Sequence, residues 1–156
     1  MDLLFIFKWI EASMVGVNIS QSSWLFPVIE AVHLCAFAML GGCVLLLDLS
    51  LLGLGLSNLP ISIVEKNTRP WLLASIAAIT FSGVLLFITE ATKLYEKDFF
   101  WIKIFALMLA LSFTFIIRNP FARNNCSESK KAKILGAISI LLWLTVAIAG
   151  RWVGFS

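Results

Sequence analysis

Four long apolar segments take up most of this chain, and they limit what it can fold into. They cover about residues 24–46, 71–92, 99–118 and 134–153, and each supplies the ~20 apolar residues that a helix needs to cross ~30 Å of hydrocarbon. Inside a bilayer no water is available, so backbone N–H and C=O groups must bond to each other, and a helix pairs them within a single segment. The segments therefore predict an all-α fold, a four-helix transmembrane bundle.

The composition also indicates a membrane protein. Hydrophobic residues make up 60% of the 156-residue chain and charged residues 13%, whereas charged residues make up roughly 25% of an ordinary soluble domain. The length suits one compact bundle, so residues 1–156 are expected to form a single integral membrane domain. Residues 3–13 are expected to add a short N-terminal interfacial helix, with Trp9 held in the membrane surface.

Positively charged side chains gather in two of the loops. They are Lys66 and Arg69 after the first segment, and Arg118, Arg123, Lys130, Lys131 and Lys133 after the third. Because Lys and Arg concentrate in cytoplasmic loops, we expect a multi-pass inner-membrane protein with both termini on the non-cytoplasmic side. The net charge of +3 is small, so the basic residues indicate topology in the lipid bilayer and no nucleic-acid partner.

The first segment carries three ionisable side chains on one face of its predicted helix. Glu30 and Asp48 are 18 residues apart, the interval after which an α-helix returns to the same face. His33, the only histidine in the chain, lies one turn from Glu30. Ionisable groups at membrane depth are costly and usually mark a functional site, so this face is the principal candidate.

The predicted topology sorts the charged residues of the bundle into two layers. Asp48 and Arg118 fall at the inner end, where opposite charges at one depth predict an ion pair between the first and third helices. The outer layer contains Glu30, His33, Glu90, Lys93, Lys103 and Arg151. We expect His33 to point into the bundle with Glu30 beside it. At least one cation is expected to converge on the same cavity, from among Lys93, Lys103 and Arg151.

The outer layer also has a purely structural interpretation. Glu30 and His33 could be a buried, hydrogen-bonded pair that only orients helices, and Lys93 and Arg151 could extend to the membrane interface. The serine and threonine residues of the second segment, such as Ser82, are expected to serve helix packing. In the functional interpretation, a histidine next to a carboxylate binds a metal or passes protons.

A single histidine restricts the metal chemistry. A closed zinc site takes four ligands, commonly His and Cys, and Cys35 lies two residues from His33, on nearly the opposite side of a helix. Haem needs only one histidine for its iron. We therefore expect His33 to be the metal ligand of haem b, or else a contact for a small polar ligand. The other expected binding residues are Glu30, Lys93, Lys103 and Arg151.

Several short motifs follow one another along almost the whole chain. They are Asp48-Leu-Ser-Leu-Leu-Gly53, Pro70-Trp71, Ser82-Gly-Val-Leu-Leu-Phe87, Ala91-Thr-Lys-Leu-Tyr95, Phe100-Trp-Ile-Lys103 and Gly150-Arg-Trp152. This series resembles an uncharacterised family of small bacterial four-helix membrane proteins. The chain departs from the family pattern at Ser50, where arginine is usual, and at Ile117-Arg118-Asn119, where a histidine is usual. The resemblance implies the four-helix fold and brings no established activity.

The layout is more distantly similar to the copper-resistance D type of membrane protein and to haem-linked membrane protoporphyrinogen oxidases. The oxidases pair a histidine of the first helix with a lysine at the start of a later helix, and His33 and Lys103 match those positions. This similarity implies haem as a cofactor by analogy of layout.

Three classes of function follow from these patterns. The first is a haem-binding or redox protein centred on His33, and the second is a carrier or proton relay that uses the outer charged layer. The third is a structural or accessory subunit, as a homo-oligomer or within a larger membrane complex. The sequence names no reaction, so it leaves open whether the protein is an enzyme.

Overall fold

The computed structural model describes residues 3–54, 59–124 and 129–153, which form helices and no strand. Four of the described helices are short: α1 (Leu3–Glu11), α2 (Met14–Gln21), α5 (Ala91–Tyr95) and α7 (Asn119–Asn124). The longer ones are α3 (Leu25–Leu52), α4 (Ile61–Thr89), α6 (Asp98–Ser112) and α8 (Lys130–Val153). A π-helical turn (Phe113–Arg118) joins α6 to α7 (Asn119–Asn124). The single domain predicted over residues 1–156 includes 1–2, 55–58, 125–128 and 154–156, which lie outside the described residues.

Four of these stretches are long and apolar enough to cross a membrane: α3, α4, the continuous run from Asp98 to Asn124, and α8. Their apolar outer surfaces imply contact with a lipid bilayer. The predicted all-α, four-helix transmembrane bundle with a short N-terminal helix is confirmed.

The long helices pack in the order α4, α3, α8 and α6 around the bundle. α3 contacts both α4 and α8, and α6 contacts α8. In the described part of the chain α4 and α6 lack extensive contact, but α7 lies against α4. We call the end of the bundle with α7 the inner end and the opposite end, with α1 and α5, the outer end. Between them lies a core that includes Leu40, Val44, Leu72, Ala110 and Val146.

The start of α4 differs most from its predicted position, because the helix begins at Ile61 rather than near residue 71. It continues through Pro70, which lacks the N–H needed for one helical hydrogen bond. Ile61 and Val64 are buried in one apolar cluster with Leu47 and Leu51 of α3. Burial of these side chains outweighs the cost of Pro70 and extends α4 past the apolar segment.

The third spanning helix contains a wide turn near its inner end. The N–H of Asn119 bonds to the carbonyl of Thr114, five residues earlier, which is π-helical spacing. In a regular α-helix a five-residue step turns a side chain by about 140°. The wide turn instead keeps Thr114, Arg118 and Asn119 buried together. The helix then runs to Asn124, beyond the predicted end at 118.

The short helix α1 covers the outer end of the bundle. Phe7 is buried, with its ring centroid 5.5 Å from that of Phe87 and 5.0 Å from that of Tyr95. Phe5 and Trp9 lie on the opposite side and are exposed. An amphipathic helix of this kind suits a membrane surface.

A carboxylate fixes α1 to α5. Oε2 of Glu11 accepts a hydrogen bond from the backbone N–H of Thr92 at 2.9 Å. Hydrogen bonds from Thr92 lower the pKa of Glu11 below its ordinary value, and the charge of Lys93 adds to this effect. The carboxylate is therefore ionised at neutral pH and holds α1 in place.

Candidate functional site

The principal candidate site lies around His33 in the outer half of the bundle. His33 is half-buried, and its Nδ1 lies 2.9 Å from Oγ of Ser82 on α4. The Ser82 hydroxyl donates to the carbonyl oxygen of Ala78 at 2.6 Å. Because that hydroxyl has one proton, we assign to His33 the tautomer in which Nδ1–H donates to the Ser82 oxygen. The network therefore leaves Nε2 as the nitrogen with a lone pair, the form that binds a metal or accepts a proton.

Gly83 makes room for the imidazole ring. A Cβ at position 83 would lie 3.2 Å from Cε1 of His33, which is inside ordinary van der Waals contact. The pair Ser82-Gly83 thus holds one edge of the ring by a hydrogen bond and lets the ring approach the backbone of α4.

Lys103 brings a positive charge to the same site. It is half-buried on α6 and lies close enough to His33 for an electrostatic interaction. Its side chain passes Gly150 of α8, where a Cβ would lie 3.5 Å from Cε of the lysine. Among the described residues none forms a hydrogen bond or ion pair with Lys103. A cation at this depth without a partner favours an anionic ligand.

These residues come from all four spanning helices. We call the set His33, Ser82, Gly83, Lys103 and Gly150 the outer site. It combines a nitrogen lone pair with a nearby cation. Such a pair can bind a group that carries both a metal centre and a carboxylate, or it can bind and release a proton.

The structure brings only part of the predicted set together. Glu30 is exposed and has no hydrogen bond or ion pair with any residue that the structure describes. A three-residue step rotates a side chain by about 60°, and at the edge of the packed face this rotation turns Glu30 outward. The expectation that Glu30 lies in the cavity with His33 is corrected accordingly.

The other two predicted cations are at the surface. Lys93 pairs with Glu90 at 3.2 Å, and 69% of its side chain is exposed. It is displaced because α4 ends at Thr89, so Lys93 belongs to the separate helix α5. Arg151 is exposed on the last turn of α8. Of the three, Lys103 is the cation that the structure places beside His33.

Sequence reasoning missed the roles of three small residues. Ser82 was assigned to helix packing, and Gly83 and Gly150 received no role. Both glycines occur in the short motifs that carry the family resemblance, next to a polar or charged residue in an apolar helix. That combination was the available signal. At Gly83 an added Cβ would crowd His33, whereas at Gly150 it would make ordinary van der Waals contact with Lys103.

The described side chains limit which metal chemistry the outer site could hold. No group of three or more His, Cys, Asp or Glu residues is placed to bind a metal ion within residues 3–54, 59–124 and 129–153. Cys35 is exposed on another face of α3. A bare ion would thus find one strong protein ligand, His33. Haem brings four nitrogen ligands of its own, so a single histidine is enough to hold its iron.

A second polar cluster lies at the inner end. The predicted ion pair is present, with Nη1 of Arg118 3.0 Å from Oδ1 of Asp48 and both side chains buried. The same nitrogen donates to Oγ of Ser139 at 3.0 Å, and Nε donates to Oδ1 of Asn119 at 3.2 Å. The pair therefore ties α3, the π-helical turn, α7 and α8 together.

This inner cluster is not fully satisfied by the described residues. Oδ2 of Asp48 and Nδ2 of Asn119 are buried and have no hydrogen-bond partner among them. Buried polar groups are costly when one partner is lost. We therefore assign the cluster to the architecture of the bundle and keep the outer site as the functional candidate.

Comparison with known proteins identifies the family of this chain. The model of a family of unknown function, DUF6644, matches residues 6–156. No curated protein and no solved structure was found to match the chain. The resemblance to an uncharacterised family is thus confirmed, and the similarity to the copper-resistance and oxidase families stays a prediction.

Proposed function

The chain belongs to this family of unknown function, and we propose that it binds haem b, or else a small polar anion, at the outer site in a redox role. One observation carries the proposal. Nδ1 of His33 lies within hydrogen-bond distance of Ser82, and in the assigned tautomer Nε2 is the nitrogen that can bind a metal or accept a proton. A second hydrogen bond on the far ring nitrogen is the usual support of a metal-binding histidine.

The residues of the outer site would divide the work of holding haem. Nε2 of His33 would bind the iron, and Lys103 would pair with a haem carboxylate. Arg151 and Lys93 are candidates for the second carboxylate, since both are exposed cations at the outer end. Bound haem would supply one-electron exchange between ferric and ferrous iron. A second histidine ligand would require another copy of the chain, because His33 is the only histidine.

An absorption spectrum of the purified protein, reduced minus oxidised, tests this proposal. We expect a Soret band that is lost in His33→Ala. In Ser82→Ala the affinity for haem should fall by about 10–100-fold, because the support of Nδ1 is removed. Ser75→Ala is the matched control, since Ser75 is a buried serine of α4 that donates to its own helix, at the carbonyl of Leu72. Its affinity should equal that of the wild type.

Two results would contradict the haem proposal. A Soret band that survives His33→Ala would show that another group binds the iron. A protein that has no chromophore and takes up no added haem would favour the second candidate, a carrier or proton relay at the same site. The half-buried base beside Lys103 supports that candidate. An accessory role in a homo-oligomer or larger complex would follow if neither function were found.

We also propose the orientation that the basic loops predict, with the inner end in the cytoplasm and both termini outside the inner membrane. Single cysteines at Ser127 and Ser156, which lie outside the described residues, test it after the three native cysteines are replaced. A membrane-impermeant maleimide should label the cysteine at 156 in intact cells and the cysteine at 127 only after permeabilisation. Labelling of the cysteine at 127 in intact cells would show that the orientation is the reverse of the one proposed.

A further inference from the structure

An open cleft of about 430 Å³ lies at the inner end, far from the outer site. It is lined by Ser62, Ile63, Glu65, Lys66, Arg69 and Arg123, and we call it the inner cleft. All but Arg123 belong to the first turns of α4, and Arg123 belongs to α7, which packs on α4. The cleft therefore exists because α4 begins ahead of its apolar segment and α7 returns beside it.

The inner cleft carries a positive charge. Its three cations face one carboxylate, and that carboxylate is already paired, since Nε of Arg123 donates to Oε1 of Glu65 at 2.9 Å. Glu65 is buried, while 40% of the Arg123 side chain remains exposed. Lys66 and Arg69 are exposed and form no ion pair with another residue that the structure describes. Two charges are thus available to a ligand.

The cleft lies at the depth of lipid headgroups. Trp71 is 61% exposed and follows directly on the charged part of α4, as expected of a residue at the membrane interface. Lys66 lies five residues before Trp71, which is about 7.5 Å along a helix. The polar zone on each side of the hydrocarbon has roughly this thickness. The cations are therefore level with the phosphates of the adjacent leaflet.

The lining is not wholly polar. Ile63 is 43% exposed within the cleft, next to the cations. A ligand with an apolar part beside its phosphate would cover this side chain, whereas a free phosphate would leave it in water. Basic pockets between spanning helices are known to bind anionic lipid headgroups.

We infer that the inner cleft binds the phosphate of an anionic phospholipid, with Lys66 and Arg69 as its principal contacts and Arg123 as a further donor. Ile63 lies where the glycerol or upper acyl region of the lipid would be. The inference does not depend on the proposed activity of the outer site. The basic residues of the inner cleft would thus bind a ligand, in addition to orienting the chain in the membrane.

Binding of phosphatidylglycerol to the detergent-purified full chain, measured by native mass spectrometry, tests the inference. Lys66→Gln with Arg69→Gln should weaken binding by about 25-fold, which is about fivefold for each cation removed near a membrane surface. The matched control is Lys130→Gln with Lys131→Gln. Both lysines are exposed at the start of α8, so the control removes equal charge from the same end outside the cleft. It should weaken binding by less than about threefold.

Competition separates the two sources of phosphate. Phosphatidylcholine, which has no net charge, and inorganic phosphate at millimolar concentration should both fail to displace phosphatidylglycerol. Equal losses of phosphatidylglycerol binding in the two double variants would overturn the inference, because they would show only non-specific electrostatic attraction. Displacement by inorganic phosphate would overturn the lipid as the ligand. All four residues are exposed, and unchanged gel-filtration and circular-dichroism profiles would establish that the variants fold.

Discussion

Replacing Arg118 by glutamine is expected to destabilise the protein by roughly 3–5 kcal/mol, because it leaves the carboxylate of Asp48 buried without its counter-charge. Both side chains are fully buried, and the two atoms of the pair are 3.0 Å apart. Asp48→Asn should cost a similar amount for the same reason, since the guanidinium would then be alone. The free energy of unfolding in mixed detergent micelles measures both losses.

The double variant separates the pair from its surroundings. Asp48→Asn combined with Arg118→Gln should lose clearly less than the sum of the single variants, because no lone charge remains. Lys93→Gln serves as the control for removing one partner of an exposed pair. Lys93 and Glu90 are 3.2 Å apart in an exposed setting, where such pairs contribute about 0–1 kcal/mol. Additive losses at Asp48 and Arg118 would show that the contact contributes no coupling energy.

Adding one methyl group at Gly136 should destabilise the bundle by about 1–3 kcal/mol. A Cβ at this position would lie 3.0 Å from the carbonyl oxygen of Asp48 and 3.1 Å from Cβ of Leu51. Because the first of these atoms belongs to the backbone of α3, it can move only if α3 and α8 separate. The thermal unfolding midpoint of Gly136→Ala should therefore fall.

The same substitution at Gly41 should have the opposite sign. Gly41 is in the interior of α3, and a Cβ there would meet no atom within 4 Å. Alanine should therefore stabilise the helix by about 0.5–1 kcal/mol, since glycine loses more backbone freedom on folding. If Gly136→Ala raised the unfolding midpoint as Gly41→Ala does, close contact between α3 and α8 would be ruled out as the reason for glycine at 136.

Hydropathy and charge were enough to predict what the bilayer itself demands. The four spanning segments follow from the requirement that apolar length match the hydrocarbon. The ion pair of Asp48 and Arg118 was predicted because an unpaired charge inside the bilayer is costly, and these two opposite charges lie at the same depth. The same argument placed Lys103 at the depth of His33, together with Lys93 and Arg151. These predictions need only the depth of each residue.

What failed depends on rotation about a helix axis and on packing between helices. Glu30 is rotated by about 60° from His33 about the helix axis, which at the edge of the packed face turns it outward. The sequence periodicity does not resolve a rotation of this size. The extension of α4 through Pro70 depends on the burial of Ile61 and Val64 against α3, a contact between distant parts of the sequence. Pro120 follows the wide turn at Phe113–Arg118, and a proline disturbs the helical turn that precedes it. It does not by itself predict π-helical spacing.

The wide turn also separates two parts of the third spanning helix that pack against different helices. Its outer half, α6, packs on α8, whereas α7 at its inner end packs on α4. At the inner end α7 therefore closes the bundle against α4, where Arg123 pairs with Glu65. In the outer half the described residues of α4 and α6 lack extensive contact. A flat hydrophobic molecule could then reach His33 from the lipid by separating α4 from α6, while the contact of α7 with α4 stays intact.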